Sequence, residues 1–218
     1  MKLFIATLAI ASTGLGLPTA DSLVQALAKR QYSSSTYNQL TDGTACRPIS
    51  VIYARGTGQA GNVGDSQAVG PLFFNNLASD VGGTTQLAIQ GVTYPASVAG
   101  FLNGGDTTGG TTMANLISST ASRCPNTKIV VAGYSQGAQL VHMAAKATSA
   151  ANAARIAAVV VFGDPNKGQS FGSIQASKID TICHDGDDIC LGQATVTSQH
   201  LNYQKDAPAA AAFVAALV

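Results

Sequence analysis

Short apolar runs alternate along this chain with longer stretches whose apolar residues recur at helical spacing. Five runs read as strands, at residues 49–54, 86–92, 128–133, 157–162 and 178–183. Several are apolar on both faces, as Ile129-Val130-Val131-Ala132 is, which is the pattern of a parallel strand buried on both sides. Helix candidates lie between them. Residues 69–77 follow the first run, 111–122 carry Met113, Leu116 and Ile117 at helical spacing, and 136–147 carry Leu140, Met143 and Ala144. Asp206 stands as the N-cap of a last helix, with Pro208 in its first turn. Alternating strands and helices predict an α/β domain with a parallel sheet covered on both faces. Right-handed crossovers then line up the strand C-terminal ends along one edge, where sites in such sheets form.

The 218 residues suit one domain, and no repeat or low-complexity linker divides residues 31–218. The beginning of the chain reads differently. Lys2 leads into an apolar run from Leu3 to Ala11, then into Leu17-Pro18-Thr19-Ala20, the layout of a secretory signal peptide over residues 1–20. That run is shorter than a bilayer span requires. Residues 21–30 end at the dibasic Lys29-Arg30 and read as a short pro-segment, leaving 31–218 as the mature domain. Removing Lys2, Asp21, Lys29 and Arg30 with those segments leaves a net charge near −1 and no basic stretch. The electrostatic footprint of a nucleic-acid binder is therefore missing. At 46% hydrophobic and 11% charged, the chain has ample material for a core, which excludes a disordered protein.

Four cysteines, Cys46, Cys124, Cys183 and Cys190, suggest two disulfides in a secreted chain, with three pairings open. No Cys-x-x-Cys knuckle points to zinc, and no Asn-x-Ser/Thr sequon is present.

The chemistry concentrates at Gly133-Tyr134-Ser135-Gln136-Gly137, a Gly-x-Ser-x-Gly placed straight after a buried strand and straight before a helix. So sharp a turn leaves no room for side chains two residues before or after the serine, and it thrusts the hydroxyl out at a helix N-terminus. Ser135 is the candidate nucleophile, and a serine hydroxyl needs a base. Of three histidines, His142 is seven residues along the helix, about 10 Å away, and reads as a packing or surface residue. His184 follows Cys183 at a strand end. His200, in a loop before the final helix, completes the chain order Ser…Asp…His of the α/β hydrolases and is the candidate base. The third member has to be an aspartate, because the chain contains no glutamate. Between Ser135 and His200 the candidates include Asp180 and Asp164, the latter in Phe162-Gly163-Asp164-Pro165 at a strand end. The loop between Cys183 and Cys190 offers Asp185, Asp187 and Asp188, and spacing alone does not choose among them.

These residues together resemble the fungal cutinases. The resemblance is carried by Cys46, Ala54-Arg55-Gly56-Thr57, the Ser135 pentapeptide, Phe162-Gly163-Asp164-Pro165, the Cys183–Cys190 loop and His200-Leu201-Asn202-Tyr203. It implies a compact α/β-hydrolase-type three-layer sandwich with a central five-stranded parallel sheet and no large lid. It implies a Ser135–Asp187–His200 triad, Asp187 matching the family's Cys-x-x-Gly-Asp-x-x-Cys, and the pairings Cys46–Cys124 and Cys183–Cys190. The oxyanion hole would be built from Thr57, through its hydroxyl and its N–H, and from the N–H of Gln136. Family members commonly carry serine where this chain has Thr57. Threonine keeps the hydroxyl donor, adds a methyl, and is a flavour shared with yeast-type polyester-degrading members. Val98, Phe101, Leu102, Leu191 and Val196 would flank the acyl groove.

The function implied is a secreted serine esterase, acting as a monomer without metal or cofactor on aliphatic polyesters such as cutin and on short- and medium-chain esters. An acetylxylan esterase of the same family is the nearest competing reading, although a chain without tryptophan offers little platform for sugars. A noncatalytic secreted surface-binding protein on the same fold is the other, and the intact Ser135, Asp187 and His200 argue against it.

Overall fold

The computed structural model describes residues 32–218; the signal peptide and pro-segment expected at 1–20 and 21–30 lie outside the described residues. Strands β1 (Ile49–Ala54), β2 (Leu87–Gly91), β3 (Lys128–Tyr134), β4 (Ile156–Phe162) and β5 (Ile179–Ile182) form one sheet, ordered β2-β1-β3-β4-β5. All four pairings are parallel. Every strand begins and ends within one residue of the position its apolar run predicts.

Six α-helices join the strands among the described residues: α1 (Val69–Asp80), α2 (Val98–Leu102), α3 (Thr107–Arg123), α4 (Gln136–Ala147), α5 (Ala150–Ala154) and α6 (Ala207–Ala215). None is long and apolar enough to cross a membrane. Helix α3 starts four residues before the sequence pattern does, because Asp106 caps it by accepting from the Gly109 N–H at 2.6 Å. Its first turn contains Gly109 and Gly110, poor helix formers that hide the element from periodicity. Both are there for contact: a Cβ at Gly109 would lie 2.7 Å from Leu140 Cδ2, and one at Gly110 would lie 2.8 Å from Met143 Sδ. The glycine pair lets α3 lie close on α4.

The last helix corrects one expectation. Asp206 occupies the N-cap position of α6 but makes no side-chain cap bond. Its carboxylate is taken by His184, whose Nε2 lies 2.7 Å from Asp206 Oδ2.

Alternation along the strands divides the core. Ile52, Ala54, Val131, Val159 and Val161 pack with Met113 and Ile117 of α3 and Leu140 and Val141 of α4. Val51, Tyr53, Val130, Val160 and Phe162 face Phe73, Phe74 and Leu77 of α1 and Ala210 and Val214 of α6. Truncating one of these large side chains to alanine costs about 3–5 kcal/mol, which is why both faces stay apolar without a break.

The chain steps from β1 outward to β2 and then returns to β3 on the other side of β1. The order therefore reverses between β1 and β3, and this is where α/β sheets open a crevice at their strand C-terminal ends. At the opposite ends of the same two strands, Cys46 and Cys124 form a disulfide across a sequence separation of 78.

Candidate active site

Strand β3 stays buried through Tyr134, and the chain then turns at Ser135 with φ 56° and ψ −121° before α4 begins at Gln136. A positive φ at a non-glycine residue is strained, and it projects the serine out of the turn. The flanking glycines are required by sterics. A Cβ at Gly133 would sit 2.4 Å from the Gly137 carbonyl oxygen, and one at Gly137 would sit 2.0 Å from the Ala54 carbonyl oxygen. The Ser135 N–H donates to the Phe162 carbonyl at 2.9 Å, tying the turn to the end of β4.

His200 meets this serine from the loop ahead of α6. Its Nε2 is 2.9 Å from Ser135 Oγ, and its Nδ1 is 2.9 Å from Asp187 Oδ2. The Tyr134 hydroxyl donates to the His200 carbonyl at 2.8 Å, and the two rings stack with centroids 5.2 Å apart. Gly163 backs the imidazole, for any Cβ there would fall 2.7 Å from His200 Cε1. Asp187 lies in the loop closed by the Cys183–Cys190 disulfide. Its Oδ1 accepts the Ile189 N–H at 3.0 Å, and its Oδ2 accepts the Tyr203 hydroxyl at 2.6 Å as well as facing the imidazole. Ser135, Asp187 and His200 are all buried. Burial raises the pKa of both tyrosines, with the Asp187 charge adding to the effect, so both remain protonated donors.

Each of the other two histidines has an aspartate of its own. His142 is buried, stacked on Phe171, with Nε2 2.9 Å from Asp164 Oδ2. That pairing takes the competing acid Asp164 away from the serine, and of the two readings of His142, packing or surface, the burial favours packing. Of the three aspartates in the small disulfide loop, Asp187 is the one that meets His200; Asp185 points into solvent.

Register places the β1 end beside the serine, Ala54 pairing with Gly133. Thr57 follows and lines the cleft. Gln136 Nε2 donates to Thr57 Oγ1 at 2.7 Å and to the Ser97 carbonyl at 2.8 Å. A carbonyl only accepts, so this contact fixes which end of the amide is nitrogen. The Gln136 main-chain N–H heads α4, in the turn whose N–H groups have no acceptor within the helix. Arg55 braces the loop from inside, with Nε 2.7 Å from the Gln59 carbonyl and Nη2 2.9 Å from the Tyr94 carbonyl.

A cleft of about 210 Å³ opens over Ser135. Val98, Phe101, Leu102 and Val196 line it, as the acyl-groove expectation has it, and Leu191 does not. Residues 188–191 form a 3-10 turn, which advances about 120° per residue. Ile189 therefore points into the cleft, while Leu191, two residues on, is left on the outside at 68% exposure. Ile189, Ala194 and Leu201 also line the cleft and were not singled out from sequence. A neighbouring apolar residue in the same loop was the available signal for Ile189.

A parallel α/β sheet whose switch point carries a strained serine, hydrogen-bonded in series to histidine and aspartate, defines an α/β-hydrolase-type serine hydrolase. The cutinase family model matches residues 45–218. The cutinase of Monilinia fructicola is 49% identical over 173 residues, covering 79% of this chain and 84% of that protein. The cutinase of Botryotinia fuckeliana is 47% identical with the same coverage. A solved structure of Trichoderma reesei cutinase in complex with a C11Y4 phosphonate inhibitor is 47% identical, with a TM-score of 0.74 over 79% of this chain and 77% of that one. An acetylxylan esterase structure has a TM-score of 0.64 at 23% identity, a likeness of fold. The chain belongs to the cutinase family and is a carboxylic ester hydrolase.

Proposed function

We propose that the protein is a secreted esterase that cleaves aliphatic polyesters, cutin and synthetic polyesters among them, together with short- and medium-chain esters. The observation that carries this reading is the rim of the cleft. Val98, Leu102, Val196 and Leu201 are 56–64% exposed around Ser135, so apolar surface faces outward at the mouth of the site. Each CH₂ of an acyl chain laid on it contributes about 0.8 kcal/mol. Such a mouth suits a chain presented at an insoluble surface.

In this reading Ser135 Oγ attacks the ester carbonyl while His200 Nε2 takes its proton. Asp187 holds the imidazole by its other nitrogen and stabilises the imidazolium. The oxyanion is met by the Thr57 hydroxyl and N–H and by the Gln136 N–H. His200 returns the proton to the leaving alcohol, and water hydrolyses the acyl-enzyme by the same steps in reverse roles. No step requires a metal or cofactor. Secretion rests on the leader-like first 20 residues and on the two disulfides, which persist in oxidising compartments.

The test is a panel of esters from acetyl to long acyl, with acetylated xylan and a polyester film. Release of soluble acids from film, with a maximum at short to medium chains, is expected. Activity confined to acetyl esters, with rapid deacetylation of xylan, overturns the polyester reading in favour of an acetylxylan esterase. Failure of a phosphonate to label the serine removes the esterase mechanism altogether.

A further inference from the structure

Tyr203 follows His200 by three residues and sits in the 3-10 turn Tyr203–Asp206, between the base loop and α6. It is 1% exposed. Its hydroxyl lies 2.6 Å from Asp187 Oδ2, the same oxygen that faces His200 Nδ1 at 2.9 Å. The phenol oxygen also accepts the main-chain N–H of His184 at 3.0 Å. With that side of the oxygen occupied, its own proton is directed at the carboxylate.

The ring is clamped as firmly as the hydroxyl. The His184 imidazole stacks flat on it, with centroids 4.0 Å apart and planes 16° apart. His184 is itself held on both nitrogens, Nδ1 2.9 Å from the Gln199 carbonyl and Nε2 2.7 Å from Asp206 Oδ2. Residues from the acid loop, the base loop and the start of α6 thus converge on one tyrosine. The titratable groups around Asp187 are His200 and Tyr203 in direct contact, Tyr134 further off, and Asp185 and Asp188 on its own loop, with the His184–Asp206 pair behind the Tyr203 ring.

We propose that Tyr203 is a positioning residue for the catalytic acid, its hydroxyl fixing the Asp187 carboxylate in the orientation that holds the imidazole. This rests on the Ser135–His200–Asp187 reading given above. The physical argument is the sharing of one oxygen. A carboxylate oxygen that accepts a charge-assisted O–H bond is pinned against rotation and is a weaker base toward the proton on Nδ1. The imidazole then keeps its Nδ1 proton and presents Nε2 to the serine in the tautomer that can accept a proton.

Tyr203→Phe tests this, because it removes only the oxygen and keeps the ring against His184. The expected result is a kcat lower by about 10- to 100-fold, the span of one hydrogen bond to a charged group, with KM within about twofold. The pH profile of kcat/KM should change with it, since the carboxylate facing the imidazole loses one of its donors. In an Asp187→Asn background the same substitution should cost nothing further, as expected of groups acting in series. Melting temperature, followed alongside, separates loss of fold from loss of alignment. A Tyr203→Phe enzyme with wild-type kcat and an unmoved profile, beside a Tyr203→Leu enzyme that fails, overturns the proposal and leaves the ring as packing. An Asp187→Asn enzyme with wild-type kcat is a different result, and it overturns the triad reading itself.

Discussion

Gln136 Nε2 donates to Thr57 Oγ1 at 2.7 Å, which occupies a lone pair of the threonine hydroxyl and leaves its proton free to turn toward the cleft. The same amide holds the Ser97 carbonyl, and Ser97 caps α2, the helix that bears Val98 and Leu102. The hydroxyl and one wall of the cleft are therefore set by a single side chain.

From this contact, Thr57→Val is expected to lower kcat by about 10²- to 10³-fold with KM little changed, and Thr57→Ser to stay active. Gln136→Glu is nearly isosteric but offers an acceptor where the amide offers a donor. It should draw the Thr57 proton away from the cleft and reduce kcat while the main-chain N–H of residue 136 remains in place. Steady-state kinetics on the three variants decides the matter; equal activity of Thr57→Val and Thr57→Ser returns Thr57 to a structural role.

Ser135→Ala should abolish ester hydrolysis, by about 10⁴-fold or more, and leave the fold intact. The alanine still faces a positive φ at that turn, so no gain in stability is expected. Near-wild-type turnover by the purified variant, measured after confirming its circular dichroism, removes Ser135 as nucleophile.

The two disulfides should separate stability from activity. Loop-closure entropy assigns about 4.5 kcal/mol to the bridge spanning 78 positions and about 2.5 kcal/mol to the one spanning 7. Cys46 and Cys124 lie at the far end of the sheet, whereas Cys183 and Cys190 bracket Asp187. Cys46→Ser/Cys124→Ser is expected to fall mainly in melting temperature, and Cys183→Ser/Cys190→Ser mainly in kcat. Measuring both quantities on both variants checks it; a small-loop variant with full kcat shows that Ile189 and Tyr203 hold Asp187 unaided.

Asp180, half-buried on the edge strand β5, has its carboxyl raised above the usual range by burial. A raised acid lowers stability because the unfolded chain ionises first, so the effect is absent below the unfolded-state pKa, grows as pH rises from there to the shifted value and is complete above it. Asp180→Asn should therefore raise the melting temperature at about pH 7 and leave it unchanged at about pH 3. With the group near half exposed, the gain should stay below about 1 kcal/mol.

The strands, the turn at Ser135 and the histidine that meets it were legible because each depends on local pattern: two-faced apolar runs, two glycines at fixed offsets, one histidine in the right chain order. The aspartate that meets His200 was not, since Asp185, Asp187 and Asp188 differ only in where a disulfide-closed loop points them. The resemblance selected Asp187, and tertiary contact with His200 explains the selection. Helices α2 and α5 span five residues each, too few for periodicity, and both rely on a serine cap. Leu191 stands off the cleft because the 3-10 turn over 188–191 directs Ile189 there instead, a rotation that an irregular loop sequence does not announce. The pairings of His142 with Asp164 and His184 with Asp206 each join residues 22 apart in sequence, and nothing local announces them.

The rings about the imidazole have an optical consequence. The chain has no tryptophan and six tyrosines, so tyrosine dominates its near-ultraviolet emission over the weakly emitting phenylalanines. Tyr134 stacks on His200, and Tyr203 donates its proton toward a carboxylate. Two of the six emitters therefore stand against the reacting groups, and occupation of the cleft or protonation of His200 should change their intensity. An unlabelled sample thus carries its own reporter of acyl-enzyme formation, readable by stopped flow without a chromogenic ester.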